Sequence, residues 1–207
     1  MALAGGETPR GFYRHLASYG ARAEAPPGAG SEPLAGDPLA EHWKTKLPWD
    51  RAYVFLTDER FVPPDHPQSN DRMLRETLLD PLGIPEERRF PYPTVEIEPD
   101  QAARQYEETL LSVVGRPPRF DIALLGVGED GHVASLFPRF VPPKERWVTA
   151  VRNAPKSPSQ RLTLTYRTLN VARNLFFLVL GAKKATLRRD LPRAPPPDRS
   201  AGAPGPG

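Results

Sequence analysis

Residues 120–138 read FDIALLGVGEDGHVASLFP, and the order of events within them decides the fold class. Residues 122–125 form an apolar run of the length of a buried strand. Gly126, Gly128 and Gly131 then break the run with a turn, and the turn carries Glu129, Asp130 and His132. Ionisable side chains placed straight after a buried strand are what an open α/β sheet offers, because its ligands bind at the carboxyl ends of the strands.

Working outward, strand and helix patterns alternate. Residues 53–56 (YVFL) read as a strand. Ser69 is placed to cap a helix running through Leu79, with Met73, Leu74 and Leu78 on one face. Pro99 or Asp100 opens another helix, in which Ala102, Ala103, Tyr106, Leu110 and Val113 recur at helical spacing. Residues 161–166 (RLTLTY) alternate as a half-buried strand does, and residues 175–180 (LFFLVL) are apolar throughout, as in a strand covered on both faces. Gly181 is expected to open a short helix containing Lys183 and Lys184. This alternation predicts a single-domain α/β protein of Rossmann-like layers, with a mainly parallel sheet flanked by helices. The domain is expected to span residues 1–191. Residues 192–207 (PRAPPPDRSAGAPGPG) have no apolar periodicity and are expected to be a disordered tail, and residues 21–38 share that Ala-Pro-Gly character.

Composition narrows the chemistry. The absence of cysteine excludes disulfides, thiolate metal sites and a cysteine nucleophile. No apolar run approaches the ~18 residues of a membrane span, and the N-terminus lacks the basic and apolar regions of a signal peptide, so a cytoplasmic protein without membrane partners is expected. The net charge of +3 is spread along the chain. Scattered basic residues without interleaved aromatics favour a small anionic ligand over nucleic acid.

Three loops carry the unusual residues. In residues 4–9 (AGGETP), Gly5 and Gly6 let backbone amides approach an anion, Thr8 offers a hydroxyl, and Pro9 suits a first helical turn. That is a phosphate cradle or an ordinary tight turn into the helix of residues 10–18. Residues 57–60 (TDER) could orient a sugar, bind a phosphate or stabilise an oxyanion, although a solvated loop is the simpler reading. Residues 126–131 match G-x-G-x-x-G in form. A dinucleotide site is nonetheless disfavoured, since Glu129 and Asp130 would lie where a pyrophosphate must sit, and the only acid about 20 residues on is Glu145, in a Pro-rich loop. His132, with carboxylates two and three residues away, is a candidate general base. Ser135 lies outside any G-x-S-x-G elbow, H-E-x-x-H is absent, and His15, His42 and His66 are far apart, so neither a serine hydrolase nor a metal site is expected.

Together these loops resemble the 6-phosphogluconolactonase family. The resemblance rests on Gly5-Gly-Glu-Thr-Pro9, on Asp58-Glu-Arg60 followed by Ser69-Asn70, on Asp130-Gly-His-Val-Ala-Ser-Leu-Phe-Pro138, and on a late segment from Lys156 to Thr165 that includes Arg161. It spans about residues 3–189 and implies a phosphorylated sugar lactone as substrate, hydrolysed without metal or organic cofactor. It implies that His132, Asp130 and Arg60 are catalytic, and that Gly5, Gly6, Thr8, Asp58, Lys156 and Arg161 bind substrate. The related glucosamine-6-phosphate deaminase branch shares the Asp-Gly-His but typically continues Ile-Ala-Phe-Asn-Glu-Pro and reads Asp-Glu-Tyr, where this chain has Ser135-Leu-Phe137 and Arg60. A non-catalytic sugar-phosphate sensor on the same fold is the remaining alternative. Two departures stand out. Glu7 replaces a small residue of the phosphate loop, so its carboxylate must point away. The family also has a helix and strand before the first loop and a final strand after the last, which this chain is expected to lack.

Overall fold

The apolar runs at residues 53–56 and 122–125 become Val54–Leu56 (β2) and Ala123–Gly126 (β5). Both pair with Ala2–Leu3 (β1), a strand before the first loop, where none was expected; it lies between them in parallel register. Two small apolar residues are too few for any periodicity, yet both are buried at the middle of the sheet. The computed structural model describes residues 1–23 and 48–181. Within them Arg89–Phe90 (β4) and Leu175–Leu178 (β8) complete a five-stranded, all-parallel sheet in the order β4-β2-β1-β5-β8. The expected α/β class is therefore found, as one layered domain. Residues 24–47 and the expected tail at residues 192–207 lie outside the described residues, as does the expected helix with Lys183 and Lys184.

The chain first builds the sheet in one direction from β1, through β2 to β4, and later in the other, through β5 to β8. The switch point is the β1–β5 junction, where an open sheet leaves a crevice at its carboxyl edge. The loops after β1, β2 and β5 all emerge at that edge.

A second sheet stands beside the first and was not foreseen. Asp58–Arg60 (β3), Arg161–Leu164 (β7) and Val148–Val151 (β6) pair antiparallel in the order β3-β7-β6. Thr57 joins the sheets: its N–H donates to Leu3 O at 2.9 Å in the first, and its carbonyl accepts from Leu164 N at 2.8 Å in the second. The solvated-loop reading of residues 57–60 is thereby overturned, because β7 supplies the hydrogen bonds that water would otherwise provide and Thr57, Asp58 and Glu59 are buried. Residues 161–164 are likewise buried throughout, not half-buried, since β7 is the central strand of this sheet. Among the described residues, 175–178 form the last strand of the sheet, and Phe176 and Phe177 are exposed.

Helix α1 (Glu7–Ala23) starts earlier and runs longer than residues 10–18. Helix α2 (Asn70–Leu74) continues as a π-helical stretch, Arg75–Leu79, and Ser69 caps it as expected, its side chain accepting from Arg72 N at 3.1 Å. Helix α3 (Pro99–Val114) buries Ala102, Ala103, Tyr106 and Leu110 as its spacing predicts, but Leu111 takes the buried place expected of Val113, which is exposed. The core centres on aromatic side chains. Phe55 stacks on Phe90 at 4.4 Å between centroids and Tyr106 on Tyr92 at 3.6 Å. The buried Tyr106 hydroxyl is satisfied by Leu56 N at 3.0 Å and Phe90 O at 3.1 Å.

Candidate active site

The loop after β5 turns back on itself. Gly128 N donates to His132 O at 2.8 Å, Gly131 N donates to Gly128 O at 3.1 Å, and Gly131 takes φ +85°. The fold-back brings the His132 imidazole against Asp130, with Nδ1 hydrogen-bonded to the carboxylate. The pair presses so close to the backbone that a Cβ at Gly128 would lie 2.1 Å from His132 Nδ1 and 2.7 Å from Asp130 Oδ1. Gly128 thus belongs to the site because a side chain would occupy the imidazole's place. Partial burial raises the Asp130 carboxyl, but the hydrogen bond and charge of His132 outweigh it and hold the group below its ordinary range. With Asp130 accepting from Nδ1–H, Nε2 is left as the basic nitrogen.

Phe137 packs on the imidazole at 4.6 Å between centroids, and the Arg161 guanidinium lies 5.7 Å from the centroid of the Phe137 ring. Arg161 is itself the cross-strand partner of Arg60. Two arginines opposite each other repel unless an anion comes between them. Burial first, and then the Arg60 charge, pull Arg161 below the usual arginine range. Backbone carbonyls hold Arg161 in place, Pro158 O at 3.0 Å from Nε and Lys156 O at 3.1 Å from Nη2. Arg60 is held by Gln68 O at 2.9 Å and by the Asn70 side chain, while its buried Nε has no hydrogen-bond partner. A buried, unsatisfied donor beside a second guanidinium can donate to an oxyanion's lone pair.

The first loop reaches the same place. A Cβ at Gly5 would lie 1.9 Å from Asn70 Oδ1, so the glycine admits the side chain that also orients Arg60. Gly6 has φ +99° and open space where a side chain would be, and it leads directly into α1. The amides of that first turn have no helical partners, and Thr8 lies within it. Pro9 of the turn comes within 3.7 Å of a Cβ built on Gly126, so the first and third loops meet at the sheet's switch point. The Glu7 side chain is 86% exposed and pairs with Arg10 at 3.4 Å.

The geometry thus gathers Gly5, Gly6, Arg60, Asp130, His132 and Arg161 at one edge. Lys156 joins through its backbone, and its side chain is exposed. Asp58 is buried and faces inward, its carboxylate accepting from Ser135 Oγ at 2.7 Å and from Thr57 Oγ1 at 3.3 Å. Glu59, on the other face of β3, caps α2: its carboxylate accepts from the N–H groups of Arg60, Asn70 and Asp71, each at 2.7 Å, and from Ser69 Oγ at 3.1 Å. Burial pushes its carboxyl up to about 7 against the pull of those backbone donors. Sequence reasoning placed Glu59, Asn70, Ser135 and Phe137 in motifs but did not name them as site residues. Their membership of those motifs was the signal, and their partners were not legible. Among the described residues no cluster of histidines and carboxylates is placed to hold a metal ion, and no helix is long and apolar enough to cross a membrane.

The chain is similar to proteins already known. The family model described as glucosamine-6-phosphate isomerases/6-phosphogluconolactonase matches residues 1–201. The 6-phosphogluconolactonase of Synechocystis sp. is 39% identical over 190 residues, covering 89% of this chain and 67% of its own length. That of Nostoc sp. is 37% identical with the same coverage of both chains. The crystal structure of 6-phosphogluconolactonase from Thermotoga maritima superposes with a TM-score of 0.72 at 33% identity, over 91% of this chain and 73% of that one. The chain therefore spans about two thirds of the length of these curated relatives.

Proposed function

The chain belongs to the glucosamine-6-phosphate isomerase/6-phosphogluconolactonase family, and from that premise we propose that it hydrolyses 6-phospho-D-glucono-1,5-lactone to 6-phospho-D-gluconate, in the oxidative pentose phosphate pathway of the cytoplasm. The observation that carries the reading is the His132–Asp130 pair standing beside two opposed guanidiniums, Arg60 and Arg161. An ester hydrolase needs a base for water and positive charge for the oxyanion, and an anionic substrate needs a cationic seat.

His132 Nε2 takes a proton from water as the oxygen adds to the lactone carbonyl. The negative charge on the tetrahedral intermediate is met by guanidinium and amide donors. Collapse breaks the bond to the ring oxygen, which leaves with the proton carried by His132, and the product acid then ionises. Asp130 is the positioning residue, fixing the tautomer through Nδ1. The first-turn amides of α1, with Gly5, Gly6 and Thr8, cradle the phosphate, and Arg60, Arg161 and Lys156 divide the remaining anionic contacts. The glucosamine-6-phosphate deaminase alternative has less support, because the relatives named above are lactonases and because Arg60 and Ser135, where that branch differs, are both built into the site.

The test is a pH-stat assay on freshly made phosphorylated lactone, corrected for spontaneous hydrolysis. Turnover is expected, with much poorer use of gluconolactone lacking the phosphate. His132→Asn should lower the rate by on the order of 10²–10⁴ and lose the ascending limb of the pH–rate profile, while 6-phosphogluconate still binds. Release of ammonia from glucosamine 6-phosphate without lactone hydrolysis overturns the reading.

A further inference from the structure

Asp58 is a charged side chain that the mechanism does not use. It is 6% exposed, and among the described residues no cation lies within ion-pair distance of it. A buried carboxylate without an ion pair is costly unless its hydrogen bonds serve a purpose that a neutral side chain would not. Its shortest bond crosses 77 residues of sequence to the hydroxyl of Ser135, at 2.7 Å. Ser135 is fully buried, and its N–H donates to Thr163 Oγ1, equally buried, at 3.2 Å. The Ser135 anchor therefore reaches both β3 and β7, the strands that carry Arg60 and Arg161.

Between Ser135 and His132 the chain has little freedom. Leu136 N donates to Val133 O at 2.9 Å, Val133 bridges to Val127 and Leu136, and Ala134 takes φ +49°. A tight turn transmits the position of one end to the other. The loop bearing the base follows a strand of the parallel sheet, whereas both guanidiniums stand on the antiparallel sheet. Relative placement of the two across the crevice requires a tie, and an error of about 1 Å in such placement costs roughly 10² in rate.

We infer that Asp58 and Ser135 form a positioning pair, which ties the His132 loop to the sheet that carries Arg60 and Arg161 and touches no substrate. The inference rests on the lactonase reading for its kinetic readout and assigns Asp58 a role other than substrate binding. Ser135→Ala and Asp58→Ala should each lower kcat for the phosphorylated lactone by on the order of ten- to a hundredfold, with KM little changed. The double variant should be no slower than the slower single one, because both remove the same tie. Asp58→Asn keeps an acceptor for Ser135 and should restore most of the rate lost in Asp58→Ala. Thr163→Val, which removes only the second anchor, should be intermediate.

A second measurement needs no turnover. Nitrogen-15 NMR of His132 should show the Asp130-bonded Nδ1–H in the wild type, broadened or lost in Ser135→Ala. An unchanged His132 spectrum with full kcat in Ser135→Ala overturns the inference, as does an additive double variant or a loss confined to KM. A wild type that shows the bonded Nδ1–H but hydrolyses no lactone refutes the lactonase reading and leaves the tie to be judged on the NMR signal alone.

Discussion

Replacing Gly128 by alanine isolates the placement of His132, the base of the proposed mechanism. The added Cβ would lie 2.1 Å from His132 Nδ1, 2.2 Å from His132 Cε1 and 2.7 Å from Asp130 Oδ1, all far inside van der Waals contact. Gly128 does not have a positive φ, so alanine is compatible with the backbone and the whole effect comes from contact. The imidazole must withdraw by more than about 1 Å, enough to cost roughly 10² in rate if Nε2 activates the water. In free energy that is about 2.7 kcal/mol of lost transition-state stabilisation. The fold should suffer less. The His132 side chain is 18% exposed and Asp130 36%, so both can swing toward solvent, and the cost falls at the low end of the ~1–3 kcal/mol of overpacking. The assay is initial-rate hydrolysis of the phosphorylated lactone beside calorimetric binding of 6-phosphogluconate. kcat should fall by about two orders of magnitude while KM and product affinity move little, because the phosphate seat lies elsewhere. A folded Gly128→Ala protein with wild-type kcat would refute the argument, since a base displaced this far cannot still be aligned. A loss entirely in KM would equally refute it.

Gly5→Ala should behave in the opposite way: its Cβ would meet Asn70 Oδ1 at 1.9 Å, and Asn70 is 1% exposed and cannot move aside, so the melting temperature should drop further than for Gly128→Ala. Glu59 gives the fold a pH dependence. Its carboxyl is raised from the ordinary 4.5 to about 7 by burial, so between those values the folded state holds a proton that the unfolded chain has released. Stability should therefore fall as pH rises across that window, by at most about 1.4 kcal/mol per pH unit, and denaturant titrations should show the slope missing from Glu59→Gln. Asp130, held below the ordinary 3.8, acts with the reverse sign: its contribution is complete above that value and is lost as pH falls through its lower folded value, an acid limb that His132→Asn should lack.

The sequence by itself determined the α/β class, with its mainly parallel sheet, and the make-up of the third loop. Both are written in contiguous residues: the apolar run before Gly126, the helical spacing of Ala102, Ala103, Tyr106 and Leu110, the capping Ser69, and the glycines that let His132 fold back on Asp130. Periodicity and turn chemistry act over a few residues, so a linear reading can find them. Tertiary structure alone decided whatever depends on which strand lies beside which. Residues 57–60 read as a charged loop because nothing local reveals that β7, about a hundred residues later, pairs with them and that Thr57, Asp58 and Glu59 are buried. The LFFL of β8 read as a fully covered strand because an apolar run does not state what lies on each side of it; among the described residues it is the last strand, with Phe176 and Phe177 exposed. Asp58 was singled out from its place in the Asp-Glu-Arg loop, but the hydrogen bond it makes was not legible there. Its partner, Ser135, is 77 residues away, and only the meeting of two sheets brings that hydroxyl to its carboxylate.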